Sequence, residues 1–153
     1  MQNGIDFENL VDAITRNRAD PKDKWYDAAA IVADKVRWGY PQYRARKNIC
    51  AGGLDLVLYG RIDWLKAGDI IDVKFTKNYD PGKYFDSTQH PVYFELIPEA
   101  RNFTYLVSNG SSVWPETYTR EETRSIFPII EDFFEWLNTM GLMELYKEKW
   151  LAK

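Results

Sequence analysis

The sequence predicts an α/β or α+β domain built around a mixed sheet of about four to five strands flanked by helices. Three observations carry that expectation. First, "LDLVLYGRIDWL" alternates polar and apolar residues and is followed at once by a second strand-like run, "GDIIDVKFT"; both show the two-residue period of half-buried strands. Second, helical patterns lie before and after these runs, giving the order helix, three strands, helix, one or two strands, helix. Third, 45% of the 153 residues are hydrophobic, with 6 Trp, 10 Tyr and 8 Phe. That supplies apolar mass for a core, suits a single domain over 1–153 and argues against disorder.

Taken in order, residues 5–16 read as a short helix. "DPKDKWYDAAAIVADKVRWG" reads as a second, with Asp20 as N-cap, Pro21 in the first helical position and Gly39 as its end. "PQYRARKNICAG" alternates weakly, as an edge strand does. In the next run Leu54, Leu56, Leu58, Ile62 and Trp64 point one way, and Asp55, Tyr59, Arg61 and Asp63 the other. In the following one Ile71, Val73 and Phe75 share a face opposite Asp72 and Lys74, with Lys66–Asp69 as the turn between the two runs. Residues 84–99 look helical; Pro91 is tolerated only in a first turn, so the helix should begin near Ser87 or Thr88. Strands are expected at 102–108 and in "VWPETYT". Thr119 and Glu122 form an S/T-x-x-E capping box that should open a long helix through Asn138. Its stripe of Ile126, Ile129, Ile130, Phe133, Phe134 and Leu137 suits packing on the sheet, with excess width for a partner or a second copy. Gly141 breaks this helix and a final short one follows.

Net charge is −3, which argues against a large non-specific nucleic-acid surface. The distribution is uneven, however. Nine basic residues lie between Arg16 and Lys47, whereas acids concentrate from Glu116 onward. Such a split can give one phosphate-facing side, or simply solvated faces with no partner. A single cysteine, Cys50, excludes an internal disulfide framework, an iron–sulfur cluster and a Cys-rich zinc site. No long apolar run and no signal-peptide layout are present, so a soluble, cytoplasmic chain without membrane partners is expected.

The two acids on apolar strand runs need a reason. A turn centred on Ala67–Gly68 pairs Trp64 with Ile71, Asp63 with Asp72 and Arg61 with Lys74. Opposed side chains on one sheet face have Cβ atoms about 4.5–5.5 Å apart, where like charges repel. A divalent cation resolves that conflict, since Mg²⁺ is commonly held by one or two carboxylates plus waters and substrate phosphates. Lys74 would then stand within reach of anything bound there, able to orient a water or meet charge developing on a phosphate. The competing reading is plain surface charge on a strand edge. Arg61 either contacts phosphate or neutralises the acids. Lys77, Lys83 and Tyr84 follow on a segment that reads as a solvated loop, with a DNA backbone as its alternative contact. Trp38, Trp64, Trp114, Trp136 and Trp150 read as core or helix-packing residues that could otherwise stack on bases. Gln89 and Tyr93, four apart, share a helical face.

In this order the residues resemble the PD-(D/E)XK nuclease superfamily, in particular its RecB-like exonuclease branch. Asp63 in "GRID" matches the family's first acid, "DVK" at Asp72–Val73–Lys74 its D/E-x-K, and "QHPVY" at Gln89–Tyr93 its Q-x-x-x-Y helix. The likeness covers about 43–110, with helical flanks at 5–38 and 119–151, and implies a restriction-endonuclease-like core. It implies Asp63, Asp72 and the Val73 carbonyl as metal ligands, Lys74 as catalytic lysine, and Gln89 and Tyr93 steadying the site and the substrate strand, with Arg61 joining them at the substrate if it contacts phosphate. Mg²⁺ or Mn²⁺ would be the cofactor and DNA the substrate in recombination, repair or phage DNA processing, with a helicase or single-strand annealing protein as an optional companion. The alternative function is a catalytically inactive nuclease-like domain that binds DNA or protein. Upstream, where relatives often carry a further His or acidic ligand, the segment 22–38 offers only Asp27 or Asp34. The one histidine, His90, reads as solvated beside its turn.

Overall fold

The computed structural model describes residues 2–150; residues 1 and 151–153, the ends of the expected domain and C-terminal flank, lie outside them. The chain is α+β: helices α1 (Gln2–Thr15) and α2 (Tyr26–Val36), strands β1 (Tyr40–Ala51), β2 (Leu54–Lys66) and β3 (Asp69–Phe75), helix α3 (Gln89–Leu96), strands β4 (Asn102–Ser108) and β5 (Val113–Thr119), and helices α4 (Phe127–Thr139) and α5 (Met143–Trp150). The sheet follows chain order, β1-β2-β3-β4-β5. Only β3 and β4 run parallel, and α3 is the crossover that a parallel pair requires.

Each sheet face carries its own core. Phe7 and Val11 of α1 and the alanine–valine stripe of α2 close over Trp64, Ile71, Val73 and Leu106. On the opposite face Phe94 and Leu96 of α3 cover Ile62, Ile70, Phe103 and Tyr105. The β2–β3 hairpin turns through Ala67 at φ 49° and Gly68 at φ 88°. Two left-handed central residues make the tight turn whose twist suits paired strands, and it sets the expected register: Lys66 with Asp69, Leu65 with Ile70, Trp64 with Ile71.

Several local expectations are corrected. Asp20 does not cap α2; its carboxylate accepts from Lys22 N–H at 2.9 Å and closes a turn. The helix starts at Tyr26, because Trp25 adopts φ 71° and turns its ring between Phe7 and Phe75. Burying that indole wins over extending the helix. Segment 84–99 is helical only over Gln89–Leu96, its start falling where Pro91 required. Thr119 and Glu122 do bond reciprocally, yet they close a turn, and α4 begins at Phe127 ahead of Pro128. From the α4 stripe Ile126, Phe134 and Leu137 are buried, while Phe133 is exposed, as is Trp136 outside the stripe. Trp38 (91% exposed) and Trp150 are also surface residues, against the expectation of core packing.

Candidate active site

The regular alternation of β2 fails once, at Asp63. Ile62 packs on the α3 side and Trp64 on the α1/α2 side, so these neighbours do not share the face predicted for both. The β1–β2 ladder pairs Pro41 with Trp64 and Tyr43 with Ile62 but skips Gln42 and Asp63, and Gln42 has φ 52°. The β2–β3 ladder likewise ends at Trp64–Ile71. Asp63 and Asp72 are therefore not opposed in the ladder, nor are Arg61 and Lys74. Two carboxylates held face to face repel, and the strands part there instead.

In the gap, side chain replaces backbone. The Val73 N–H donates to Asp63 Oδ2 at 2.9 Å, so Asp63 takes the donor that a ladder partner would have used and is anchored beside Asp72. Asp72 is 3% exposed. Its Oδ1 accepts from Gln89 Nε2, and Lys74 Nζ lies 2.6 Å from its Oδ2. The ammonium does not approach Oδ2 along a hydrogen-bonding direction, which leaves that buried oxygen without a directed donor. Buried oxygens in this condition call for a water, an ion or a functional role.

Burial, the Asp72 charge and the Glu8 charge push Asp63 up to about 7, against the opposing pull of the Val73 amide and Lys74. Asp72 is also raised, by burial, with Lys74 and Gln89 opposing. A buried acid and a half-buried one that resist ionising together form a site that a cation would relieve. Among the described residues no three His, Cys, Asp or Glu side chains are grouped closely enough to hold a metal by themselves. The donor set is thus two carboxylates, one with an oxygen met only by the Lys74 ammonium, which fits an ion that keeps waters and takes substrate oxygens.

Gln89 lies against Asp72, its Nε2 donating to Oδ1. Tyr93 acts differently: its hydroxyl donates to the Arg61 carbonyl at 2.8 Å, bolting α3 to β2. Its ring lies so close over Gly60 that a Cβ there would sit 2.4 Å from Cε1. The Arg61 side chain is exposed and forms no ion pair with another described residue, so the neutralising reading fails. Asp27 and Asp34 are exposed on α2, and Asp34 pairs with Arg37 at 3.5 Å. The upstream acid whose charge reaches Asp63 is Glu8 of α1, which accepts from Gln42 Nε2 at 2.7 Å. Only its place beside Phe7, on the buried side of an amphipathic helix, could have flagged it. His90 is not solvated: it is buried, stacked on Tyr118 at 4.5 Å, with Nδ1 3.2 Å from Tyr105 Oη.

No family model matches this chain, and no curated protein matches it. Its fold is similar to that in the crystal structure of SSO0001. The likeness has a TM-score of 0.57 at 16% sequence identity, covering 72% of this chain and 56% of that one. The chain therefore spans little more than half the length of that protein, and at this identity the likeness concerns fold alone.

A cavity of about 870 Å³ lies elsewhere, between α1, α2 and the turn before β1; it is lined by Trp64 but by none of Asp63, Asp72 or Lys74. An enclosed volume is what a small ligand needs. Among the described residues no helix is long and apolar enough to cross a membrane.

Proposed function

We propose that this chain is a divalent-metal-dependent deoxyribonuclease, an exonuclease by its sequence resemblance, that hydrolyses phosphodiester bonds. The observation that carries this reading is the convergence of Asp63 and Asp72 at the strand break, with one buried carboxylate oxygen lacking a directed donor beside Lys74.

Asp63 and Asp72 would hold Mg²⁺ or Mn²⁺, with the Val73 carbonyl as the further ligand that the resemblance implies. When bound, such an ion polarises the phosphodiester and lowers the pKa of its water. The chain's own residues do the rest. Gln89 fixes one Asp72 oxygen, so the other keeps its direction. The Val73 amide fixes Asp63 in the same way. Lys74 is part-exposed at the end of the break, where its ammonium can hold a water or meet negative charge on a phosphate oxygen. Tyr93 keeps α3, and with it Gln89, docked on β2.

The test is cleavage of end-labelled single- and double-stranded linear DNA with Mg²⁺, Mn²⁺ or EDTA, with Lys74→Ala alongside. Metal-dependent products that vanish in the variant are expected. A folded protein that cuts nothing under any of these conditions would overturn the enzymatic reading and leave the DNA- or protein-binding domain in its place.

A further inference from the structure

After Lys74 the chain passes beside the carboxylate site before entering α3, and the hydrolytic reading gives no reason for that segment to be ordered. Three sets of contacts order it. Glu116 on β5, only 9% exposed, accepts from Tyr79 Oη at 2.6 Å, from the Tyr84 N–H at 2.9 Å and from Tyr118 Oη. Burial pushes this carboxyl up, but hydrogen bonds from Tyr118, Tyr79 and the Tyr84 and Gly82 amides outweigh it and hold the group below its usual value. It is therefore an ionised, full-strength acceptor. Lys83 Nζ lies 3.1 Å from both Thr76 Oγ1 and the Asn78 carbonyl. The Tyr79 ring stacks on Trp114 at 5.4 Å.

These contacts fix Tyr84 in place. Its ring stacks on Tyr105 at 4.5 Å and 20°. Tyr105 is the β4 partner of Asp72, and Lys74 Nζ lies 5.8 Å from the centre of that same ring. Tyr84 and Lys74 thus share one aromatic floor beside the acid. The Tyr84 hydroxyl makes no hydrogen bond to another described residue. Burial and the charges of Asp72 and Glu116 raise it above the ordinary phenol value, which keeps it a donor. Its neighbour Phe85 is 66% exposed, and Lys77 and Lys83 are exposed on the same segment.

We propose that Lys77–Phe85 is a preformed shelf for a single DNA strand entering the site, on which the Tyr84 hydroxyl donates to a phosphate oxygen and the Phe85 ring stacks on an unpaired base. This rests on the nuclease reading and adds the strand-holding surface to it. The chemistry selects single strands, because stacking on an exposed side chain needs a base face that a duplex hides. The shelf is indifferent to sequence, since every base has such a face.

The experiment measures anisotropy of a labelled oligothymidylate with the full chain carrying Lys74→Ala in Mg²⁺, and KM and kcat in the chain with Lys74 intact. Tyr84→Phe keeps the stack on Tyr105 and should weaken binding about 3- to 10-fold, the loss of one hydrogen bond. Phe85→Ala should weaken it about 5- to 100-fold, the loss of one stacked base. Trp136→Ala, another exposed aromatic, on α4, should change nothing. Both shelf variants should raise KM far more than they lower kcat. If both variants match the parent, the shelf is refuted; the nuclease reading then stands where the Lys74-intact parent cleaves and falls where it only binds. If the parent neither binds nor cleaves, the two fall together.

Discussion

Asp63→Asn in the metal-free protein separates a strained acid pair from ordinary surface charge. Burial and the Asp72 charge raise Asp63 from 3.8 to about 7. The folded chain therefore binds a proton that the unfolded chain has already released, throughout the window between those values. For a raised acid the sign is unambiguous: stability falls as pH rises from about 4 to about 7, and no further drop comes from this group above that. At 1.36 kcal/mol per pKa unit, the ionised carboxylate costs on the order of 4 kcal/mol at pH 8. Asparagine keeps an oxygen to accept from the Val73 N–H but brings a buried amide nitrogen needing its own partner, which costs about 1–3 kcal/mol. The net gain should be about 1–3 kcal/mol, or roughly 2–10 °C in Tm for a chain of this size.

The assay is thermal unfolding in EDTA at several pH values between 4 and 8. The gap between variant and parent should open across pH 4–7 and stay level at pH 8. Adding Mg²⁺ at pH 8 should raise the parent's Tm and move the variant much less. A variant less stable than the parent at pH 8 in EDTA, or a gap between the two that does not open across pH 4–7, would refute the account of the site as a strained pair of acids.

Gly60→Ala would drive a methyl into the Tyr93 ring; it should cost about 1–3 kcal/mol by chemical denaturation and be rescued in part by Tyr93→Ala, whereas a wild-type midpoint would mean the α3–β2 contact is loose. Glu116→Gln should leave the sheet folded but make the segment 76–88 the first point of proteolytic nicking, and it should remove a contribution to stability that the parent holds at neutral pH and loses on acidification through the lowered pKa of Glu116. Unchanged cleavage sites and an unchanged acid limb would show that the clamp holds nothing.

Strand positions were legible in the sequence because alternation is local. "NFTYLVS" and "VWPETYT" are strands with the bounds their composition suggests, and the Ala67–Gly68 turn set the hairpin register. Helix starts were less legible for the opposite reason. The Asp20–Pro21 and Thr119–Glu122 signatures both form their hydrogen bonds, but such bonds close a turn as readily as they open a helix. What decided was distant in sequence. Trp25 gave up helical backbone to reach Phe7 and Phe75, and no window around residue 20 contains that contact.

The same division runs through the site. Asp63, Asp72, Lys74 and Gln89 were readable because their spacing is fixed within one hairpin and the crossover that follows it. Glu8 and Glu116 were not, since each acts from an element that only folding brings near, and Glu116 sat among acids whose concentration suggested nothing but solvation. The face assignment of Ile62 and Trp64 failed for a reason that belongs to the chemistry. Strict alternation assumes an unbroken ladder, and the ladder breaks where Asp63 must turn toward Val73. A strand paired through that point on both sides would keep Asp63 in register and directly opposed to Asp72, with no edge for a substrate to enter. On the proposed reading, the departure from regular pairing is thus what would let two mutually repelling acids on neighbouring strands share a cation. A variant that restores the ladder there should gain order and lose the opening together.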